Sequence, residues 1–345
     1  MKQMHPVRQS LLLSGCLLAV LFFLPLAVVA PFREEPFEQP QPVEQQGETA
    51  AVSGAEDRKI TLRVLEGERV AEMDLHTYLK GVVRAEMPAS FPAEALKAQA
   101  VAARTYTLHK LLSGGKHGTQ ADLCTDPACC QAYLGEEQAR ANWGAEADAC
   151  EANIEDAVQA TDGQAVLYGG TPILAVFHSS SAGLTRAAGE VWVNDLPYLQ
   201  AVRSPEAGAE IPNYFSRVEF SEPDCRSRLL AAFPEADLSG PATGWLKNAV
   251  TDSAGSVETV EVGGLRVKGT QVRSALGLRS ACFDWEAKDG RMIFYVTGYG
   301  HGVGLSQYGA RQMAADGADY REILTHYYTG VTVENYSAAF RQNGG

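Results

Sequence analysis

The sequence predicts an α+β fold preceded by an N-terminal membrane anchor. Three observations support this: an uncharged run near the N-terminus, alternating apolar residues typical of strands, and apolar residues at helical spacing between those strands. With 345 residues, of which 46% are hydrophobic, the chain can bury one large core or two ordinary ones. Its net charge of −13 argues against a nucleic-acid partner, because such proteins neutralise phosphates with basic surfaces.

Residues 1–31 form a separate N-terminal segment. The run from Ser10 to Pro31 has no charged side chain, and its 22 residues are enough to cross about 30 Å of hydrocarbon as a helix. Lys2 and Arg8 precede the run, so the positive-inside rule keeps the N-terminus in the cytoplasm. We therefore expect a single-pass membrane protein with an extracytoplasmic domain. A cleavable signal peptide is the alternative, since AVVA offers small residues to a peptidase.

Residues 32–57 are expected to form a flexible acidic tether. The segment is rich in Pro, Glu and Gln and lacks the regular aliphatic spacing of helices and strands. The folded domain is expected to span residues 58–345. Removal of residues 1–57 should then leave its melting temperature unchanged.

Strands and helices are interspersed along the folded region. The alternation in KITLRV predicts a strand, DLHTYLKGVVRAE predicts a helix, and residues 92–112 predict a longer helix that starts at Pro92. A strand hairpin is expected across Gly169-Gly170. Further on, CRSRLLAAF predicts a helix, whereas GSVETVEVGG, LRVKGTQVR and MIFYVTG predict strands.

A glycine-rich segment follows the last of these strands. Residues 298–310 read GYGHGVGLSQYGA, with five glycines around one His, one Ser, one Gln and two Tyr. Glycine is tolerated in such numbers where the chain takes positive φ or where another group approaches closely. The segment is therefore either a binding or catalytic loop or a tight turn between strands.

The carboxylate of Glu86 stands out in the segment VVRAEMP. It follows Val82 and Val83 and directly precedes Met87-Pro88, which indicates an apolar pocket at a helix end. Desolvation there raises a carboxyl pKa, as a general acid requires. The alternative is a Glu that caps the helix or forms a salt bridge with Arg84.

The serines next to His178 raise the question of a serine hydrolase. Around Ser306 the glycines lack the Gly-x-Ser-x-Gly spacing of a nucleophile elbow. His178 and Ser179 are adjacent, but neighbours in a strand point to opposite faces. Adjacency is therefore weak evidence for a nucleophile and its base.

The part of the chain beyond the anchor has six cysteines, an even number that favours disulfides outside the cytoplasm. His117, however, lies within fourteen residues of three of them, Cys124, Cys129 and Cys130. Imidazole and thiolate ligands suit Zn²⁺, and a loop can wrap around a tetrahedral site. A zinc site and a disulfide of Cys124 or Cys130 both remain open.

Four motifs are highly specific in combination and order: VVRAEMPASFPAEALKAQAVAARTY, CTDPACCQAY, FHSSSAGLTRAAGEVW with DLPYLQAV, and GYGHGVGLSQYGARQMA. Together they resemble the SpoIID/LytB family over nearly the whole exported domain, and the anchor and acidic tether match as well. The resemblance implies a two-lobed mixed α/β domain with a cleft lined by the four motifs.

The resemblance also implies an activity and partners. It points to a peptidoglycan lytic transglycosylase that remodels the septal wall during engulfment in sporulation. The expected partners are glycan strands, a sporulation amidase resembling SpoIIP and a polytopic membrane protein resembling SpoIIM. The expected location is the mother-cell membrane, with the catalytic domain facing the septal wall.

Residue roles follow from the matched motifs. Glu86 in AEMP matches the catalytic acid, and His117, Cys124 and Cys130 match the zinc-loop positions of members that bind the metal. Cys129 is an additional thiol here, which leaves the ligand set open. Substrate binding is expected of Arg104, His178, Ser179, Tyr198, His301, Gln307 and Tyr308.

The implied chemistry needs one carboxylate. The C6 hydroxyl of N-acetylmuramic acid attacks its own anomeric carbon and closes a 1,6-anhydro ring, so neither water nor a second carboxylate takes part. No cofactor is required, and any zinc is expected to order the loop beside the cleft. Two rivals remain: a wall-binding enhancer of a partner amidase, and a thiol or zinc amidase that uses the cysteine loop.

Overall fold

The computed structural model describes residues 56–337, except 115, 116, 119 and 207. The predicted anchor and residues 32–55 of the predicted tether lie outside this part. No helix in the described part is long and apolar enough to cross a bilayer.

The first elements of the described chain alternate between short strands and longer helices. In chain order they are β1 (Thr61–Glu66), β2 (Arg69–Asp74), α1 (Leu75–Glu86), α2 (Ala93–Leu112), β3 (Leu123–Cys124), α3 (Glu136–Trp143), α4 (Ala147–Ala160), β4 (Gln164–Tyr168), β5 (Thr171–Pro172), β6 (Phe177–His178) and α5 (Ala188–Val191).

The remaining elements include most of the longer strands. They are β7 (Phe215–Ser221), α6 (Glu222–Ala232), β8 (Leu246–Thr251), β9 (Val257–Val262), β10 (Leu265–Lys268), α7 (Gly269–Leu276), β11 (Phe283–Lys288), β12 (Arg291–Thr297), β13 (Leu305–Ser306), α8 (Gln307–Ala315), α9 (Tyr320–Tyr327) and β14 (Thr332–Asn335).

A first hydrophobic core surrounds helix α2. This helix contacts α1, α4, α8, α9 and β4, and apolar residues cover all its sides, as expected of a central helix. Buried alanines such as Ala98 and Ala102 let these neighbours approach closely. Three small sheets lie around the same core, with strand orders β2-β1-β3, β14-β4-β5 and β13-β6.

A second hydrophobic core is built from residues 220–296. Two three-stranded antiparallel sheets, β11-β12-β7 and β10-β9-β8, enclose it together with α6 and α7. Leu229, Val260 and Phe294 are among its buried side chains. The described chain is thus a mixed α/β structure with several small sheets.

Most of the predicted elements are confirmed, and one is partly wrong. The first strand, the two helices that follow it and the hairpin at Gly169-Gly170 lie where the pattern places them. The segment LRVKGTQVR is not one strand, because only Leu265–Lys268 pairs with β9. Helix α7 begins at Gly269, where an added Cβ atom would lie 2.0 Å from the backbone oxygen of Val257.

The start of the folded region also differs from the expectation. The composition places Asp57 in the tether, yet its side chain is fully buried. Its amide donates to Asp162 Oδ1 at 2.9 Å, and Tyr336 donates its hydroxyl to Asp57 Oδ1 at 3.2 Å. Residue 57 therefore belongs to the folded body, and the boundary lies before Arg58.

Candidate active site

Glu86 is the last residue of helix α1. Asp74 caps the start of this helix by accepting a hydrogen bond from the Thr77 amide at 2.9 Å. Pro88 disfavours helical geometry at Met87, so the helix ends there. The sequence thereby fixes a carboxylate at a helix terminus beside the first core.

Two neutral groups hold the Glu86 carboxylate. Gln307 Nε2 donates to Oε2 at 3.0 Å, and the Ala132 amide donates to Oε1 at 3.3 Å. Burial raises the Glu86 pKa from its ordinary value of 4.5, while the two hydrogen bonds act in the opposite direction. The carboxyl group therefore holds a proton more readily than an exposed Glu.

The alternative role for Glu86, a salt bridge with Arg84, is wrong. Arg84 Nε donates to Glu151 Oε2 at 2.9 Å, and its Nη2 pairs with Glu151 and Glu136. Arg84 thus holds α1 against α3 and α4. No cation neutralises Glu86 among the ion pairs of residues 56–337.

A cleft of about 1210 Å³ opens beside Glu86. The described residues that line it come from both cores and include the expected His178, Ser179 and His301, together with Trp192. Glu86 is the only carboxylic acid among these described lining residues. The cleft therefore offers one acid, several neutral polar groups and a few basic side chains.

The two histidines of the cleft are neutral at physiological pH. Desolvation lowers the pKa of His178 to about 4, and desolvation together with His178 lowers that of His301 to about 3. His178 Nδ1 donates to the Val303 carbonyl at 3.2 Å, and its buried Nε2 has no partner among the described residues. His301 Nδ1 instead accepts from the Val303 amide at 3.1 Å. Both rings can therefore bind uncharged hydroxyl or amide groups.

The glycines of the loop at 298–310 serve contacts within the protein. Gly300 and Gly304 have φ of 120° and 72°, which disfavours side chains. A Cβ at Gly304 would lie 2.2 Å from the Val176 carbonyl oxygen, and one at Gly300 would lie 2.7 Å from His178 Cβ. At these two positions the group that approaches the glycine closely is another part of the chain.

Gln307 and Tyr308 begin helix α8 within the same segment. The Gln307 amide bridges Glu86 and Gln99, its Nε2 lying 3.4 Å from Gln99 Oε1. The Tyr308 ring meets the Phe91 ring edge-on, with 5.2 Å between centroids. Gln307, expected to bind substrate, thus contacts the candidate acid itself.

Arg104, expected to bind substrate, is fully buried outside the cleft. Its Nε lies 2.9 Å from Asp57 Oδ1, and its Nη2 lies 2.7 Å from Asp57 Oδ2. Its remaining donors reach Thr161 and two carbonyl oxygens. A side chain with no exposed surface cannot touch a glycan, so we correct this role to a structural one.

Tyr198 also lies behind the cleft wall. Its hydroxyl accepts a hydrogen bond from the Leu174 amide at 3.2 Å, and its side chain is nearly buried. Leu174 does line the cleft. The placement therefore gives Tyr198 a supporting position behind Leu174 rather than the expected direct contact.

The cysteine loop brings together four groups that could hold a metal ion. The ligand atoms of His117, Cys124, Cys129 and Cys130 all lie within 4.8 Å of one another. His117 Nε2 is 3.6 Å from Cys129 Sγ and 3.8 Å from Cys130 Sγ, and the two sulfurs are 3.9 Å apart. A Zn–S bond of about 2.3 Å gives tetrahedral edges of about 3.8 Å. The donor set therefore fits a tetrahedral zinc site with Cys129 included.

The same loop leads into the site. Cys129 and Cys130 line the cleft, and Ala132, whose amide donates to Glu86, follows two residues later. No disulfide joins the cysteines in the described part of the chain. Ordering of this loop would therefore order one of the two donors to Glu86.

Sequence reasoning missed Glu206. Its Oε1 accepts from the Ser181 amide and hydroxyl at 2.8 Å and from Ser306 Oγ at 2.5 Å. Ser306 in turn caps helix α8, which begins with Gln307. Glu206 lies in a segment without a recognised motif, so only the fold reveals that it fixes the helix that carries Gln307.

Comparison with known proteins identifies relatives of this chain. The family model described as Stage II sporulation protein (SpoIID) matches residues 66–168. Stage II sporulation protein D of Bacillus amyloliquefaciens is 36% identical over 265 residues, which cover 76% of this chain and 75% of that protein. The protein of the same name from Bacillus subtilis (strain 168) is 32% identical over 345 residues, which cover 96% and 97%.

A relative with a different printed name shares the same region. The amidase enhancer of Bacillus subtilis (strain 168) is 33% identical over 306 residues, which cover 75% of this chain and 40% of that protein. The stage II sporulation proteins D are matched over three quarters or more of both chains. The chain therefore belongs to the SpoIID family of stage II sporulation proteins.

Proposed function

We propose that this protein is a lytic transglycosylase that cleaves the bond between N-acetylmuramic acid and N-acetylglucosamine in peptidoglycan during sporulation. The observation that carries the proposal is the environment of Glu86. Its pKa is raised by burial, only neutral groups hold it, and it lies beside a cleft large enough for a glycan segment. A carboxyl in this setting can act first as acid and then as base.

The proposed reaction uses one proton carrier. Protonated Glu86 donates its proton to the glycosidic oxygen as the bond to the anomeric carbon breaks. The C6 hydroxyl of the muramic acid then bonds to that carbon and returns its proton to Glu86, which closes the 1,6-anhydro ring. Hydrolases that use water normally need a second carboxylate as base or nucleophile. Glu86 is the only carboxylic acid among the described residues that line the cleft. The lining therefore favours the internal hydroxyl as nucleophile.

The neutral groups around Glu86 have supporting roles in this proposal. Gln307 and the Ala132 amide orient the carboxyl, and they stabilise its ionised form after proton transfer. His178 and His301, both uncharged, bind hydroxyl or acetamido groups of the sugar. His117, Cys124, Cys129 and Cys130 would hold zinc, and a bound zinc ion would supply a structural cross-link in the loop before Ala132.

Location and partners complete the proposal. Residues 1–31 anchor the chain in the membrane with the N-terminus in the cytoplasm, and the folded part faces the septal wall. A sporulation amidase resembling SpoIIP and a polytopic membrane protein resembling SpoIIM are the proposed partners. The relative named amidase enhancer supports an amidase partner and also the second candidate function, a wall-binding enhancer without its own chemistry.

Mass spectrometry of digested glycan strands tests the proposal. The full-length chain should release fragments that end in 1,6-anhydromuramic acid, each one water lighter than a hydrolysed end. Reducing ends would show a hydrolase instead. Intact strands, together with faster peptide release when an amidase is added, would favour the enhancer.

A further inference from the structure

We propose that Arg273 and Arg279 form an anion subsite in the cleft, which takes a carboxylate group of the glycan substrate. The inference rests on the proposed function, because it names the chemical group of that substrate that this side of the cleft selects. Both arginines come from the second core, whereas Glu86 belongs to the first.

The charge of the cleft is opposite to that of the whole chain. The net charge of the protein is −13, yet the charged residues among the described lining are Lys110, Arg273, Arg279 and Glu86. Burial favours the neutral form of Glu86, so its own negative charge is reduced. The local field therefore attracts an anion, whereas the acidic surface elsewhere repels one.

Arg273 is a partly buried cation without an acidic partner among the described residues. It projects from α7, and its Nε donates to the Leu278 carbonyl at 3.2 Å. Desolvation lowers the pKa of its guanidinium, and Arg186 adds to this effect. Burying a charge is costly unless a counter-charge accompanies it. A substrate anion would supply that counter-charge.

Arg279 is held in a defined orientation. Its guanidinium carbon lies 3.9 Å from the centre of the Tyr299 ring, and the Arg279 carbonyl accepts from the Gly300 amide at 3.0 Å. Its Nε is buried without a hydrogen-bond partner in the described part of the chain. The ring contact restrains the guanidinium, whose planar fork of donors matches the two oxygens of a carboxylate.

Two groups in peptidoglycan could supply the carboxylate. One is the lactyl group of a muramic acid whose stem peptide has been removed, and the other is an acid on the stem peptide itself. Both match the planar two-oxygen acceptor that a guanidinium binds. The experiment separates them by comparing stripped and peptide-bearing strands.

The test measures dissociation constants with the full-length Glu86→Gln chain, which binds strands without cutting them. Three strands are compared: stripped strands, the same strands with carboxyls converted to amides, and peptide-bearing strands. Adding Arg279→Gln or Arg273→Gln should weaken binding of a carboxylate strand about 10- to 100-fold and leave the amide strand unchanged. Arg279→Lys should retain part of the affinity, because it keeps the charge.

Arg266→Gln is the matched control. Arg266 is an exposed arginine of β10 that pairs with Glu261 outside the cleft, so its loss should change no dissociation constant. Unchanged melting temperatures show that the variants fold. Equal weakening of acid and amide strands, or no weakening by either cleft variant, would overturn the subsite. If the arginine substitutions weaken binding of stripped strands, the carboxylate is that of the lactyl group. If they weaken binding of peptide-bearing strands alone, the carboxylate belongs to the stem peptide.

The parallel digestion with the wild-type chain separates the two proposals. Anhydro products without any dependence on strand charge would contradict the anion subsite and support the lytic activity. Charge-dependent binding without glycan cleavage would support the subsite and contradict the lytic activity.

Discussion

A fully buried carboxylate, Asp57, and a half-buried one, Glu86, have opposite environments. Asp57 faces the guanidinium of Arg104, and neither side chain has exposed surface. Glu86 faces only the neutral amides of Gln307 and Ala132, and it opens on a cleft. An ion pair compensates the charge of the first carboxylate, whereas burial makes the charge of the second costly.

The difference in partners separates a structural carboxylate from one that can act as a general acid. Asp57 is paired with the buried guanidinium of Arg104, and this ion pair joins separate parts of the fold. Glu86 can gain and lose a proton because no cation fixes its charge. Burial alone therefore does not identify a general acid. The carboxyl group must also lack a cation as its partner.

The largest expected effect is on catalysis. Glu86→Gln keeps the size of the side chain but cannot deliver a proton, so glycan cleavage should fall by about 10²- to 10⁴-fold while folding is retained. The rate of strand cleavage under equal substrate concentration measures this. Glu258→Gln makes the same chemical change on an exposed position of β9 and should leave the rate unaltered. Full activity in Glu86→Gln would show that another group carries the proton.

The next effect is on stability, at the other carboxylate. Asp57→Ala leaves the Arg104 guanidinium buried without its counter-charge, so the free energy of unfolding should fall by about 3–5 kcal/mol. Urea titration measures this. Asp224→Ala removes the partner of Arg228 in a solvent-exposed pair and should have little effect. A chain that starts at residue 58 should likewise be destabilised, contrary to the expectation from sequence.

The cysteine loop provides a third test, since it supports one donor to Glu86. If zinc binds there, its binding energy contributes to folding, and a chelator should lower the melting temperature. Cys129→Ser should lower both the metal content and the size of this chelator effect. Cys150→Ala, a change on α4 outside the cluster, should retain both. A metal-free protein with a disulfide between Cys124 and Cys130 would contradict the assignment.

The smallest effect is a pH dependence of stability. Because folding raises the Glu86 pKa, the folded state binds this proton more tightly than the unfolded state. This stabilisation is fully present below pH 4.5, the ordinary pKa of Glu. It is lost as the pH rises through the raised pKa of folded Glu86. The unfolding free energy of the wild type minus that of Glu86→Gln should therefore decrease as the pH rises. The total decrease should be about 1.4 kcal/mol for each unit by which folding raises the Glu86 pKa. A difference that rises with pH would contradict the assigned environment.

The sequence predicts local features of the site better than long-range ones. Pro88 and the apolar residues before it were enough to place Glu86 at a buried helix end. The role of Arg104 was misassigned because its partner, Asp57, lies in a segment whose composition indicates a tether. Arg273 lies in a region without a recognised motif, and only the folding of the second core brings it to the cleft.

The glycine loop shows the same limit. Its composition correctly indicated positive φ, as Gly300 and Gly304 show. It gave no information about which atoms approach those glycines, because Val176 and His178 come from a strand region more than a hundred residues earlier. Close approach is a property of the tertiary structure, so a local pattern cannot distinguish a ligand from another part of the chain.

A raised pKa lets Glu86 stay protonated at a pH at which an ordinary glutamate is ionised. Infrared difference spectra of wild type minus Glu86→Gln, recorded across pH, measure this directly through the stretching band of the protonated carboxyl group. We expect this band to persist above pH 4.5, the ordinary pKa of Glu, and to disappear at higher pH. A band that disappears at or below that value would show that burial does not raise the Glu86 pKa, and it would contradict the proposed general acid.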